Sequence, residues 1–234
     1  MNSFPLRRAV PIILGAALAL TALVFYVAPD LDLAAASLFY RGRNTFAGQT
    51  QVGELARRLV YWVPTLLLLV FAGLFAARRF GRVVPFAASG RGVLFLALTF
   101  ALGPGLLVNT VLKDHSHRPR PYQTLNFGGE DAFRPFYTFD GDCQRNCSFV
   151  SGEGAAAAWT LAPALLVPLP VRAAAVAASL VFAVAVGLLR MAFGGHYLSD
   201  TAFALLLVWS FVLAMRRAML GREPELKGQA HATR

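Results

Sequence analysis

Three short polar clusters sit at the edges of apolar stretches, and each has residues suited to gripping an anion. KDHSHRPRP carries Lys113 and the Arg120–Pro121 pair in a K-x6-RP spacing. NCSFVSGE carries Ser151 and Gly152, and RMAFGGHYLSD carries Arg190, His196 and Asp200 as R-x5-H-x3-D. Phosphoryl transfer spreads negative charge over equatorial oxygens, which fixed cations stabilise. Lys113, Arg120 and Arg190 suit that task, since an arginine fork binds two oxygens at once. Ser151–Gly152 opens an apolar run, so the free amides of a helix's first turn face outward there. Gly152 lets backbone approach a phosphate closely. His196 and Asp200 share one helical face. A carboxylate holding one imidazole nitrogen fixes the tautomer and leaves the other free to attack phosphorus. The product is a phosphohistidine, split later by water.

Each residue also has a plainer reading. Lys113 and Arg190 suit snorkelling side chains at helix ends, and Ser151 suits an ordinary N-cap. His196 alone suits a helix cap at an interface, but Gly194–Gly195 before it and Asp200 after it favour chemistry. Arg118 competes with Arg120 for the first cluster. A seven-residue step from Lys113 returns to nearly the same helical face and a five-residue step does not, although Pro119 must break any helix there.

The elements that position these clusters are apolar. With 57% hydrophobic and 15% charged residues over 234 positions, the chain is too greasy for an ordinary soluble domain. Residues 10–28, 59–77, 92–112, 154–171, 173–189 and 201–215 carry no Asp, Glu, Lys, Arg or His. A spanning helix needs about 20 apolar residues. Five runs qualify, and the sixth does so only by including residues 197–200. That places Asp200 inside a membrane helix, where carboxylates are costly and usually functional. The expectation is one all-α membrane domain of six transmembrane helices over residues 1–220, with a polar tail at 221–234. The first run exceeds the roughly 7–15 residues of a signal-peptide core and reads as a retained helix. Asp30 with LDLAAASLFY reads as a capped interfacial helix.

Charge sets the orientation. The formal net charge is +10. Arg7, Arg8, Arg78, Arg79, Arg82, Arg91, Arg172, Arg216, Arg217, Arg222, Lys227 and Arg234 fall on one side of a six-span chain. All acidic residues except Glu223 and Glu225 fall on the other. Cytoplasmic loops are enriched in Lys and Arg, so both termini are expected in the cytoplasm. All three clusters then share the outer face of a cell (inner) membrane. The basic excess serves topology and attraction to anionic headgroups, which argues against nucleic-acid binding.

The long outer loop, residues 113–151, holds Cys143 and Cys147. An oxidising exterior permits a disulfide between them, and this is expected over two free thiols or zinc. Its aromatics, Tyr122, Phe127, Phe133, Phe136, Tyr137 and Phe139, read equally as interfacial anchors or as a lid.

These three motifs, in this order and at helix ends, resemble the type 2 phosphatidic acid phosphatase superfamily. The resemblance runs from Lys113 to Asp200. It implies that Lys113, Arg120, Ser151, Gly152 and Arg190 bind phosphate. It also implies that His196 is the nucleophile and Asp200 its orienting partner, with no metal or other cofactor. Two departures stand out: Leu189 replaces the usual serine before Arg190, and Val150-Ser151-Gly152-Glu153 replaces Pro-Ser-Gly-His. That histidine protonates the leaving group in the family. Glu153 takes over only if phosphate and burial raise its pKa, whereas the helix end and nearby cations push the other way. His115 or His117 leaning in, or a leaving group needing no proton, are the alternatives. A weaker similarity, carried by NCSFVSG and HRPRP, is to lipid A phosphatases of this superfamily.

The leading expectation is therefore a membrane phosphatase acting on a lipid phosphate, either lipid A-type or polyprenyl diphosphate. A lipid-phosphate binding or transport protein is the alternative, favoured only by Glu153. Haloperoxidation on a similar anion cradle is disfavoured by the membrane spans.

Overall fold

A computed structural model describes residues 4–84, 86 and 89–221. Five helical segments among them are long and apolar enough to cross a membrane. They are α1 (Phe4–Val27), α3 (Gln51–Arg79), a continuous rod over Gly90–His115, α8 (Leu169–Ala192) and α9 (Leu198–Leu220). Thr50 and Ser89 cap α3 and the rod by accepting from Gly53 N and Gly92 N at 3.0 and 3.1 Å, as N-cap hydroxyls do. Large apolar side chains such as Ile12, Leu20, Leu66 and Val181 stand exposed on the bundle exterior. The sixth apolar run does reach spanning length by drawing Asp200 into the first turn of α9.

The fourth run departs from expectation. Instead of one spanning helix over 154–171, the chain forms α6 (Gly152–Trp159) and then α7 (Leu161–Ala164). At about 1.5 Å per residue neither approaches the roughly 30 Å of a hydrocarbon core. Thr160 Oγ1 donates back to Ala157 O at 2.7 Å, and Pro163 and Pro168 remove backbone donors. Glycine and alanine along α6 let it nest among α8, α9 and the rod, with nearly every side chain buried. The result is five long helices around a short, broken one.

The rod changes form along its length. It starts as α4 (Gly90–Phe100), widens into a π-helical stretch over Ala101–Leu112, and closes with one turn, α5 (Lys113–His115). Pro104, flanked by Gly103 and Gly105, offers no N–H to the preceding turn. Asn109 Nδ2 donates to Pro104 O at 2.7 Å, five residues back. Such wide turns recur at functional sites.

Above the bundle lies a cap. A helix does form where one was expected, α2 (Asp30–Ser37), but Asp30 makes no capping bond and Pro29 holds the N-cap position. Asp32 is buried instead. A two-stranded hairpin follows, β1 (Tyr40–Gly42) and β2 (Thr45–Phe46), turning through Arg43 and Asn44 at φ 50° and 56°. Phe46, Phe127 and Tyr197 make a second small core with Ala36. The long loop's aromatics largely pack within this cap. Phe133 sits 5.3 Å from Tyr197, Phe136 4.9 Å from Phe203, and Tyr137 4.9 Å from Tyr26, while Phe139 stays exposed. Cys143 and Cys147 are joined by a disulfide. At the other end of the bundle lie Arg78, Arg79, Arg91, Arg172, Arg216 and Arg217. The expected tail beyond Gly221 lies outside the described residues.

The buried indole of Trp159 is one polar group of the bundle's interior that is paired. Trp159 Nε1 donates to Thr99 Oγ1 at 2.9 Å, and Thr99 donates on to Phe95 O at 2.7 Å. Thr99→Val keeps the volume but strands the indole N–H, and is expected to cost about 1–3 kcal/mol. Thr99→Ser should recover most of that loss. Thermal unfolding in detergent measures both.

Candidate functional site: an anion cradle at one end of the bundle

The three motifs converge where helix ends meet the cap. Lys113, in α5, is buried, and its ammonium lies against the middle motif: a Cβ on Gly152 would stand 3.2 Å from Lys113 Nζ. Asn109, turned inward by the π-helical stretch, crowds Gly152 from the same side. Only glycine fits there. Ser151 Oγ accepts from Gly154 N at 3.2 Å, and Ser151 N donates to Asp200 O at 3.2 Å. That bond ties the start of α6 to the start of α9. Ser151 is thus an N-cap, with Gly152 opening the helix behind it.

The third motif is pinned by the hairpin. Gly194 has φ +64° with the Phe46 ring against it, so any side chain there would clash. Gly48 N donates to Ala192 O at 2.6 Å, and Gln49 Nε2 to Phe193 O at 3.3 Å. A Cβ on Gly195 would lie 2.7 Å from an Arg190 NH2, so the turn lies directly on that guanidinium.

His196 is 1% exposed. Its Nδ1 lies 2.7 Å from Ser148 O. A carbonyl only accepts, so Nδ1 carries the proton and Nε2 keeps its lone pair. Asp200 was expected to make this bond; its Oδ2 instead stands 3.8 Å from Nδ1. The carboxylate is taken up by Tyr197 N at 2.8 Å, by the Ser148 hydroxyl and by Arg118. Ser148 therefore serves both partners, its carbonyl holding the imidazole and its hydroxyl donating to the carboxylate. Burial pulls the His196 pKa down to about 4, outweighing the nearby Asp200 charge. At neutral pH the ring is uncharged.

The two arginines of the first motif divide their labour. Arg118 is fully buried and bonds Asp32 at 2.7 Å, Ser199 Oγ at 2.8 Å, Arg134 O at 2.8 Å and Asp200. It also lies 4.3 Å from the Tyr197 ring centroid. Asp32 completes the network, accepting from Ser199 N at 2.8 Å and Ser199 Oγ at 2.6 Å. Burial pushes its carboxyl above the usual range despite the pull of Arg118. Arg120 is half-buried and rests on Asn146 O at 2.8 and 3.2 Å. Its charge, with that of Arg190, is felt at both Lys113 and His196. Arg120 and Arg190 thus lie near both Lys113 and His196.

Glu153 is not alone on this rim. Arg57, from the second turn of α3, grips both of its oxygens at 2.8, 3.1 and 3.3 Å. Arg190 Nε lies 3.5 Å from Glu153 Oε1. Burial acts most strongly on the carboxyl and raises its pKa. The Arg57 hydrogen bonds and the Arg190 and Arg57 charges together still hold it below the usual range. A general acid must carry a proton; here Glu153 is the ionised partner of two guanidiniums. His115 and His117 spend their Nδ1 atoms on the carbonyls of Val111 and Cys143 at 2.8 and 2.9 Å. Among the described residues no group of three or more His, Cys, Asp or Glu gathers to hold a metal.

Asp32, Arg57 and Ser148 went unnoticed in the sequence. Asp32 belongs to a plain amphipathic segment and Arg57 to an Arg-Arg pair at a helix start. Ser148 merely follows a cysteine.

Fixed cations around a buried neutral imidazole, at one end of a bundle with five membrane-length helices, make a candidate anion site in a membrane fold. The chain belongs to the PAP2 superfamily, whose family model matches residues 92–223. It is 34% identical over 209 residues to a lipid A 4'-phosphatase of Rhizobium leguminosarum, covering 82% of this chain and 90% of that protein. It is 32% identical over 206 residues to a lipid A 4'-phosphatase of Francisella tularensis subsp. novicida (strain U112), covering 85% and 90%. Its fold is similar to that of the first transmembrane PAP2-type phosphatidylglycerolphosphate phosphatase from Bacillus subtilis. That match has a TM-score of 0.62 at 21% identity and covers 92% of this chain and 98% of the other.

The unequal roles of the two arginines can be separated. Arg118→Gln strands two buried carboxylates and is expected to cost about 3–5 kcal/mol of stability. Arg120→Gln should leave the melting temperature nearly unchanged and weaken inhibition by vanadate. Thermal unfolding and inhibition assays on the two purified variants test this.

Proposed function

We propose that this protein removes phosphate from a lipid A-type glycolipid at the outer face of the membrane, through a phosphohistidine on His196. A PAP2 chain with lipid A 4'-phosphatase relatives is a membrane lipid phosphatase, a phosphoric ester hydrolase. One observation carries the mechanism. His196 is neutral and buried, with Nδ1–H bound to Ser148 O and Nε2 free, beside Lys113, Arg120 and Arg190.

In this reading the three cations and the amides after Ser151 hold the phosphate oxygens. Nε2 attacks phosphorus, a P–N bond forms, and the P–O bond to the lipid breaks. Positive charge that develops on the ring is offset by Asp200 at 3.8 Å. Water then cleaves the P–N bond, releasing inorganic phosphate and the neutral imidazole. The departing lipid oxygen takes a proton, which Glu153 supplies only once the bound dianion has raised its proton affinity. A second reading, cleavage of a polyprenyl diphosphate, is favoured by the ionised state of Glu153, because a phosphate leaving group departs without a proton. Sidedness follows from charge: the arginine-rich end of the bundle faces the cytoplasm, together with both termini, and the cradle opens on the other side.

His196→Ala should abolish phosphate release and radiolabelled phosphoenzyme while the protein remains in the membrane; retained turnover would refute the covalent route. Release from a purified panel of lipid A, undecaprenyl diphosphate, phosphatidic acid and phosphatidylglycerophosphate ranks the substrates. The pH profile is also set. A histidine whose folded pKa is depressed to about 4 keeps its reactive neutral form as pH falls through 6.5. The acid limb of kcat/KM assigned to His196 should therefore lie near pH 4. Stability contributed by the buried neutral ring should decline as pH falls from 6.5 toward 4.

A further inference from the structure

The Arg57–Glu153 pair lies outside the family's three motifs on one side and at their point of departure on the other. Two guanidiniums bracket a single carboxylate: Arg57 from α3 and Arg190 from α8. Both flank the ring of Phe193, with guanidinium carbons 5.7 and 5.9 Å from its centroid. Arg190 Nε is buried and makes no hydrogen bond, although Glu153 Oε1 stands 3.5 Å away. A buried donor left so is costly unless an anion completes it. Glu153 also adjoins Gly152, where a Cβ would stand 3.2 Å from Lys113 Nζ. The carboxylate thus stands on the rim of the cradle, and Lys113, Arg57, Arg120 and Arg190 outnumber it. The Arg57 side chain is 36% exposed and has a second acid, Glu54, at 3.8 Å, so it has room to shift.

Building on the phosphatase reading, we propose that Arg57 is a fourth phosphate-binding cation, and that Glu153 is a resident anion displaced when the substrate phosphate arrives. Before phosphate arrives the carboxylate satisfies Arg57 and leaves Arg190 partly satisfied. A phosphate dianion offers more acceptor oxygens and twice the charge, so it takes both guanidiniums. Glu153 then competes with substrate for the same donors, which sets a threshold against weak anions.

A structural clamp between α3 and α6 predicts something different. Removing either partner of a clamp loosens the site, so both substitutions weaken anion binding. Displacement predicts opposite signs. Vanadate and inorganic phosphate binding is measured by calorimetry on the purified full chain, both in the wild type and with His196→Ala, which removes turnover but leaves the cations. Arg57→Gln is expected to weaken binding by about tenfold to a hundredfold. Glu153→Gln is expected to tighten it several-fold, and Arg57→Lys should fall between wild type and Arg57→Gln. Thermal unfolding run alongside separates misfolding from lost affinity. Equal weakening by Arg57→Gln and Glu153→Gln, or no change with Arg57→Gln, would overturn the displacement idea while leaving the phosphatase reading intact. If the wild type binds neither anion, the cradle itself is refuted and this inference goes with it. If anions bind with the expected opposite signs but His196→Ala still releases phosphate, the covalent route fails and the assignment of Arg57 stands.

Discussion

The cap is organised around one guanidinium. Arg118, wholly buried, is shared between Asp32 from α2 and Asp200 from α9, with the Ser199 hydroxyl accepting from Arg118 and donating to Asp32. Buried charges survive only when paired and fully hydrogen-bonded. This one is, through four partners and an aromatic face. The network fixes where α9 begins and hence where Asp200 stands. Ser148 and Tyr197 N take up the remaining carboxylate oxygen, and Ser148 O in turn sets the tautomer of His196. A structural ion pair and the buried imidazole of His196 are thus joined through one serine.

Lipid and chemistry make opposite demands on the same helices. A membrane bundle tolerates polar groups only where they are enclosed, and a phosphate site needs several cations together. The chain meets both demands by placing its ionisable site residues near helix ends or in the connecting segments of the cap. The short α6 contributes by starting at the cap, where the backbone of its first turn lies against Lys113. Its alanine-rich sides allow close packing, at the cost of a helix too short to span.

Much of this was legible in sequence. Gaps between charges located the long helices, because a spanning segment must be apolar for about 20 residues whatever its neighbours do. Motif spacing located Lys113, Ser151, Gly152, Arg190, His196 and Asp200, because each sits at a boundary between apolar and polar sequence. Other features were not legible. The run after Ser151 is as apolar as a spanning helix, and hydropathy does not distinguish a segment facing lipid from one facing protein. Asp32 reaches Arg118 across 86 residues, and Arg57 reaches Glu153 across 96. Such pairs leave no periodic trace. The spacing of His196 and Asp200 put them on one face, yet the hydrogen bond went to a carbonyl that any residue at 148 would possess.

The π-helical stretch in the rod has a geometric consequence. An α-helix advances each residue by about 100°, and a wider turn advances it less. Over Ala101–Leu112 the accumulated lag uncouples the phase of the two ends. Phe95 and Leu96 can face the bundle's interior while Lys113, several turns on, is aimed at the pocket by its own register rather than theirs. The rod works as a phase shifter, letting greasy packing at one end and cation placement at the other be satisfied separately.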